Sequence, residues 1–281
     1  MSFGPLVPFA GLAGLRFLDE TLERQTALFE RTPEIKRSLA AFDARAAEIT
    51  TVDALMADRE VLGVVLGAFG LEEEIDKRAF IRKVVEEGTL APEAFANRLA
   101  DPAYRELADA LGFGNLGGRL IIDTVRADIR ARFQERAFER AVGDRDVDLR
   151  LALNFRREMG RIAASETAET SGWLRVLGSQ PLRRVIETAY ALPQQFGLAE
   201  LDRQVADLET RTRARFGETS PRVFSDPAVI EEVVSRFLLR AQALSGAGAS
   251  AAGAAPTAVQ ILQAGGLGAG AQAGLFASSF V

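Results

Sequence analysis

The chain of 281 residues contains no cysteine and no histidine. Without cysteine it can form no disulfide bond, no thiolate nucleophile and no zinc–thiolate site. Without histidine it lacks the usual general base near neutral pH and the commonest metal ligand. Carboxylates, lysine and tyrosine remain for catalysis. We therefore expect a protein that is not an enzyme and holds no metal or cofactor, with an enzyme that uses carboxylates alone as the alternative.

The chain also lacks an excess of positive charge, since its net charge is −5 and no block of lysine and arginine compensates locally. Such a chain has no long-range attraction for nucleic acid or an anionic membrane. The apolar stretch at residues 1–13 has no basic start and is interrupted by proline and glycine, so it is not expected to be a general secretory signal. No apolar run approaches the ~20 residues that span a bilayer. We expect neither a nucleic-acid partner nor insertion into a membrane.

Apolar residues instead recur at helical spacing along most of the chain, and no stretch alternates long enough to predict a strand. The fold class is therefore predicted to be all-α. The first stripe contains Leu15, Leu18, Leu22 and Phe29, on a helix that is expected either to pack on the first lobe or to be kept for a partner helix.

Capping residues mark the helix boundaries. Serine, threonine and aspartate accept hydrogen bonds at helix starts, proline fits the first helical position, and glycine ends helices in the left-handed conformation. By these rules the predicted starts are Thr51, Asp58, Asp101 and the prolines Pro33 and Pro92, and the predicted ends include Gly70 and Gly112.

Part of the sequence occurs twice. Residues 55–71 can be laid over residues 176–192, so that Leu55 matches Val176, 121 positions later, and Asp101-Pro102 recurs as Asp226-Pro227, 125 positions later. The repeat predicts two helical lobes of similar plan, with Val65 and Phe69 of the first, and Ile186 and Tyr190 of the second, pointing inward. Chance similarity of two amphipathic helices is the alternative.

These signals predict five segments: an N-terminal segment and amphipathic helix over 1–31, a first lobe over 32–119, a connecting helical hairpin over 120–164, a second lobe over 165–244, and a tail over 245–281. The tail has no charged residue and is rich in glycine and alanine, so we expect it to be mobile. The candidate residues for protein interaction are Leu15, Leu18 and Leu22 of the first stripe and Leu275, Phe276 and Phe280 of the apolar terminus.

Four local motifs have structural interpretations. Gly112-x-Gly114-x-x-Gly117 fits a dinucleotide loop, but a helix rather than a strand precedes it, so a helix end and a loosened turn are expected. The acidic run 72–76 lacks the central glycine of a calcium loop and is interpreted as the solvated first turn of a helix. Trp173 is expected in the core or between lobes. The arginine-rich face that includes Arg136 and Glu139 is interpreted as a salt-bridged, solvated surface.

Several strings together resemble a family of unknown function that is encoded in flagellar gene clusters of alphaproteobacteria, some of whose members are labelled flagellar basal-body rod proteins. The resembling residues are 9–14 with 17–18, 55–59, 68–71, 77–88, 96–101, 138–143 with 149–153, and 224–227 with 236–240. The resemblance implies motility and flagellar assembly. It carries no catalytic residue to this chain.

The resulting expectation is a non-enzymatic structural or interaction protein of the flagellar system whose partners are other flagellar proteins. An exported rod or axial component is the second hypothesis, although axial subunits pair two terminal heptad helices and this chain has only the first. The expected location is accordingly the cytoplasm or the flagellar basal body. The sequence leaves the oligomeric state open.

Overall fold

The computed structural model describes residues 4–251, with side chains as far as residue 246. Within these residues the secondary structure is helical and contains no strand, which confirms the all-α class. The α-helices are α1 (Gly11–Phe29), α2 (Pro33–Arg45), α3 (Val52–Ala57), α4 (Arg59–Phe69), α5 (Arg78–Glu87), α6 (Pro102–Leu111), α7 (Asp123–Gly143), α8 (Val147–Ala164), α9 (Ala168–Gly178), α10 (Gln180–Ala189), α11 (Leu201–Phe216) and α12 (Pro227–Ala251). Short 3₁₀ turns lie at Ala46–Glu48, Glu72–Glu74, Phe95–Arg98, Gln194–Leu198 and Pro221–Ser225.

Most predicted helix boundaries are confirmed. The side chain of Thr51 accepts a hydrogen bond from Ala54 N at 3.2 Å, and Asp58 and Asp101 cap α4 and α6 in the same manner. The start predicted at Pro92 is wrong, because no α-helix begins there. The Glu87 carboxylate accepts a hydrogen bond from Phe95 N at 2.6 Å and holds this stretch as a loop that ends in a 3₁₀ turn.

One compact unit ends at Leu238 and contains the predicted first lobe, the predicted hairpin and the predicted second lobe as far as that residue, and the division into two lobes stays a prediction. A second unit begins at Leu239, and its described residues are helical as far as Ala251. The last helix therefore extends beyond the predicted boundary at Leu244. Leu275, Phe276 and Phe280 lie outside the described residues.

Helices α7 and α8 form a hairpin around which the compact unit is arranged. Helix α7 packs on α4, while α8 packs on α10, on α1 and on the turn Pro221–Ser225. Phe155 of α8 is fully buried and meets the ring of Phe224 edge to face at 5.9 Å. Trp173 is also buried, and its indole nitrogen donates a hydrogen bond to Thr219 O at 2.7 Å. Trp173 is thus a core residue, as predicted.

The two halves of the chain repeat the same order of elements. Helices α2 to α6 and their 3₁₀ turns are followed in the same succession by α8 to α12 and theirs, except that the turn Ala46–Glu48 has no counterpart. The packing also recurs, because α2 contacts α4 as α8 contacts α10, and α3 contacts α5 as α9 contacts α11. Val65, Phe69, Ile186 and Tyr190 are all buried, as the repeat predicts. Superposition of the halves stays a prediction.

The ends of α4 and α10 share one backbone geometry. Gly70 has φ +76°, and Ala191, which lies 121 positions later, has φ +52°. In both places the next residue closes the helix end, with Leu71 N donating to Leu66 O and Leu192 N donating to Glu187 O, each at 2.9 Å. A left-handed turn is thus preserved in the second half at an alanine, for which this conformation is unfavourable by about 1–2 kcal/mol.

Replacing Ala191 by glycine is therefore expected to raise the free energy of unfolding by about 1 kcal/mol, because glycine adopts positive φ without steric conflict and Ala191 is exposed. Urea denaturation of the two proteins measures the change. The converse substitution, Gly70→Ala, should be destabilising, since an added Cβ would lie 2.6 Å from the guanidinium of Arg136. A destabilised Ala191→Gly variant would contradict the strain that we infer at this position.

The two halves differ on one face. Helix α4 is apolar on nearly all sides. Helix α7 packs closely against it at Gly67, where an added Cβ would lie 2.9 Å from the ring of Phe133. The corresponding positions of α10 are Arg184 and Thr188, in place of Gly63 and Gly67. Because the Arg184 side chain is 62% exposed, α10 presents a polar surface where α4 accepts a helix. A polar outer face of this kind terminates a repeat array.

Candidate interaction surface

The predicted interaction residues of α1 divide into two groups. Leu15 and Leu18 are buried in the chain itself, so the prediction that they serve a partner is corrected, whereas Leu22 is exposed. Helix α1 packs on the hairpin: Phe29 meets the ring of Phe138 at 5.7 Å. The carboxylate of Asp19 also lies 2.5 Å from the guanidinium of Arg156, which contacts Glu231 of α12 at 2.6 Å as well. The apolar stripe of α1 is therefore used within the fold.

The glycine-rich segment after α6 is a helix end, as predicted. Gly112 has φ +68° and donates its N–H to Ala108 O at 3.0 Å. The prediction of a loosened turn is wrong, since the backbone of Gly114 is packed against that of Gly88. An added Cβ on Gly114 would lie 2.3 Å from Gly88 N. Glycine is needed here for the close approach of two backbones.

The Asn115 side chain joins this segment to the loop after α5. Its Oδ1 accepts hydrogen bonds from Thr89 N at 2.8 Å and Leu90 N at 3.3 Å, and its Nδ2 donates to the Thr89 hydroxyl at 3.1 Å. Asn97 adds two more bonds, donating to Thr89 O at 2.9 Å and Ala91 O at 2.8 Å. The two loops are thus fixed by side-chain hydrogen bonds rather than free to move independently.

Two leucines project from these fixed loops. Leu116 is 93% exposed and Leu90 is 67% exposed. Burying a leucine side chain is favourable by about 1.5–3 kcal/mol relative to leaving it in water. A rigid pair of exposed leucines therefore offers binding energy to a partner at little cost in conformational entropy.

A groove of about 630 Å³ lies beside the leucine-bearing loops, between α6 and α9. Thr89 belongs to both, because it lines the groove and bonds to Asn115. The lining of the groove includes the apolar side chains of Leu99 and Leu174, and the latter is 41% exposed. One face of α6 forms its charged wall. We refer to Leu90, Leu116 and this groove together as the α6 surface.

The charges of the α6 surface are incompletely paired within the chain. Arg175 of α9 lies 3.2 Å from Glu106 of α6. Arg105 and Asp109 also line the groove and are exposed, but neither forms an ion pair with another of the described residues. They stand four positions apart on one helix with the cation first, which is the weaker order for an ion pair within a helix.

A buried network of ions lies between α7 and α8. The guanidinium of Arg157 binds Glu139 through two hydrogen bonds of 2.8 and 2.9 Å, and the two side chains are only 5% and 8% exposed. Arg136 pairs with Glu158 at 2.7 Å. The interpretation of this face as a solvated surface is therefore wrong for Arg136 and Glu139, because their partners lie on the next helix of the hairpin.

The surroundings shift the pKa of two groups of this network. Burial alone would raise the pKa of Glu158, but Arg157 and Arg136 outweigh it and lower this pKa below its ordinary value. Burial and repulsion from Arg157 lower the pKa of Arg136. A cavity of about 110 Å³ borders Arg136 and Glu158, and the buried Nε of Arg136 has no hydrogen-bond partner among the described residues. Because Glu139 and Glu158 are both paired with arginines, we interpret the network as structural.

A second group of arginines surrounds the end of α10. Arg211 donates to Tyr190 O at 3.3 Å, and Arg236 donates to Ala189 O at 3.5 Å, beside a cavity of about 220 Å³. Basic side chains near the last carbonyls of a helix complement the negative end of its dipole. The arginines are accounted for by this capping role.

The acidic run was predicted to be the first turn of a helix, but it does not begin an α-helix. It forms the separate 3₁₀ turn Glu72–Glu74, in which Glu72 pairs with Arg140 at 2.8 Å and Glu74 pairs with Lys77 at 2.8 Å. Among the described residues, no three acidic side chains come together as a possible metal site. In the same part of the chain, no helix has the length and apolar character needed to cross a membrane.

The fold thus defines an all-α protein of two successive helical sets with a common order. Residues 68–230, more than half of the chain, match the model of a family described as protein of unknown function (DUF1217), and the chain therefore belongs to that family.

An X-ray crystal structure of a protein from Agrobacterium tumefaciens is similar in fold, with a TM-score of 0.70 and 24% identity over 85% of this chain and 97% of the other. No curated protein matches the chain.

Proposed function

We propose that the protein is a non-enzymatic structural or interaction protein of flagellar assembly and motility. The observation that carries the interaction role is the α6 surface, in which Leu90 and Leu116 are exposed on loops fixed by Asn115. Contiguous exposed apolar surface marks interaction sites, and Leu90 and Leu116 stand together on neighbouring loops beside the groove. The flagellar setting rests on the resemblance of the sequence strings given above.

Two observations favour this proposal over an exported axial component. Axial subunits pair an N-terminal with a C-terminal heptad helix, whereas Leu15 and Leu18 of α1 are buried in the chain's own core. The same helix is fixed to α8 through Asp19 and Arg156. The stripe that would be needed in an axial assembly is thus already occupied.

The alternative of a carboxylate enzyme has little support in the site chemistry. The buried carboxylates of Glu139 and Glu158 are engaged by arginine. Burial raises the pKa of Tyr104 to about 12 and also raises the pKa of Tyr190, so both phenols stay protonated at neutral pH. None of these groups is placed to accept a proton in a reaction.

Deletion of the gene is expected to reduce swimming in soft agar, and expression of the wild-type chain should restore it. The Leu116→Asp variant should restore it poorly, because a carboxylate on the α6 surface opposes burial by a partner. The matched control is Leu198→Asp, a leucine that is 86% exposed and lies outside this surface. Normal swimming of the deletion strain would contradict the flagellar role.

The cell fraction that contains the protein separates the two flagellar hypotheses. An assembly factor should be recovered from the cell interior, whereas an axial component should be present in purified basal bodies or in culture supernatant. Recovery as a stoichiometric component of basal bodies would replace the first hypothesis by the second.

A further inference from the structure

We propose that the α6 surface binds a second copy of this chain, in a symmetric dimer with α6 of one copy antiparallel to α6 of the other. Arg105 of each copy would face Asp109 of its partner, and Leu116, with Leu90 beside it, would enter the partner's groove. This inference rests on the proposed interaction role and names its partner.

The first argument is charge complementarity. In a twofold contact the same surface is used on both copies, so it has to complement itself. Arg105 and Asp109 lie on one face of α6, line the groove and form no ion pair with another described residue. When two such helices run antiparallel, the cation of each faces the anion of the other. The contact would therefore contain two equivalent ion pairs.

The second argument is the position of the apolar groups along the same axis. Leu107 lies midway between Arg105 and Asp109 in α6, with Leu99 in the segment before the helix and Leu116 in the loop after it. An antiparallel arrangement centred there brings the Leu116 end of one copy to the Leu99 end of the other. Leu99 lies at that end, and the lining of the groove also includes the apolar side chain of Leu174. An exposed leucine thus meets an apolar recess in each half of the contact.

The third argument is rigidity. The hydrogen bonds of Asn115 to Thr89 and Leu90 fix the projecting loops before binding. Preorganised contacts lose little conformational entropy on association. In each copy Thr89 connects the loops that bear the leucines to the groove. Each copy therefore offers a rigid projection and a recess to a second copy, as a homodimer interface requires.

Sedimentation velocity of the full chain, from about 1 μM to about 100 μM, tests the proposal. The wild type is expected to sediment as a dimer at the higher concentrations. Leu116→Asp should raise the dimer Kd about tenfold or more, while Leu198→Asp should leave it unchanged. Both replaced leucines are almost fully exposed, so thermal denaturation should show the same folded state for both variants.

Two charge variants test the antiparallel pairing specifically. Arg105→Asp alone and Asp109→Arg alone should each weaken self-association, because like charges would then face each other. An equimolar mixture of the two should associate, since one copy carries two anions and the other two cations. The double variant Arg105→Asp/Asp109→Arg should form dimers as the wild type does.

A monomer at every concentration would overturn the dimer, as would equal effects of Leu116→Asp and Leu198→Asp. Failure of the mixed variants to associate would overturn the antiparallel arrangement. If the chain is a monomer but Leu116→Asp still abolishes swimming, the interaction role stands and its partner is another protein. If the dimer forms and the deletion strain swims normally, the dimer stands and the flagellar role fails.

Discussion

Replacing Arg157 by methionine is expected to lower the free energy of unfolding by about 3–5 kcal/mol. The substitution leaves the Glu139 carboxylate, which is 8% exposed, without the two hydrogen bonds that now neutralise it. A buried charge without a partner is strongly destabilising, even where the intact pair adds little net stability. Urea denaturation followed by circular dichroism measures the loss. The melting temperature should fall by roughly 10–15 °C.

The double variant Arg157→Met/Glu139→Leu separates the cost of an unpaired charge from the loss of packing. Because it removes both charges together, it should recover most of the stability. Arg82→Met is the matched control, since Arg82 forms ion pairs with Asp53 and Glu86 on an exposed surface. Its melting temperature should be nearly that of the wild type. Equal losses in Arg157→Met and Arg82→Met would show that the α7–α8 network is not a buried one.

Replacing Phe69 by alanine should be about as destabilising, with a loss of roughly 3–5 kcal/mol. Phe69 is buried at the end of α4, with the guanidinium of Arg132 over its ring at 5.4 Å from the centroid. The substitution removes apolar contacts and leaves a cavity that the surrounding helices fill only in part. Thermal and urea denaturation provide the measurement.

The repeat adds a matched comparison to this experiment. Tyr190 occupies the position equivalent to Phe69 and is buried as well, with its hydroxyl 3.0 Å from that of Thr212. Tyr190→Ala should therefore be destabilising to a similar extent. Leu198→Ala, at an exposed site, should change little. A small effect at Tyr190 beside a large one at Phe69 would argue against equivalent cores in the two halves.

Local sequence signals predicted much of the secondary structure. Thr51, Asp58 and Asp101 were identifiable as caps because a capping side chain bonds to backbone only two or three residues away. Gly70 was identifiable because a left-handed helix end favours glycine. The internal repeat was visible as a shared apolar pattern. Its structural counterpart at Ala191 was not, since alanine gives no sign of positive φ.

The candidate site was less accessible to sequence reasoning. The exposure of Leu116 and Leu90 depends on Asn115, whose partners Thr89 and Leu90 lie 26 and 25 residues away. The glycines at 112, 114 and 117 indicate a turn, but they do not show which side chain holds that turn in place. The stripe of Leu15 and Leu18 showed that one face of α1 would be buried, yet it could not show that α8 of the same chain would cover it.

By itself, then, the sequence determined the all-α class, the order of the helices and the positions at which most of them begin and end, because these depend on contacts within a few residues. It also determined the chemistry that the chain lacks. Tertiary structure alone decided that Glu139 is buried and paired with Arg157, and that Arg105 and Asp109 remain without ion pairs among the described residues. These outcomes depend on which helix lies opposite, and a helix reveals its own apolar face but not the residues that will cover it.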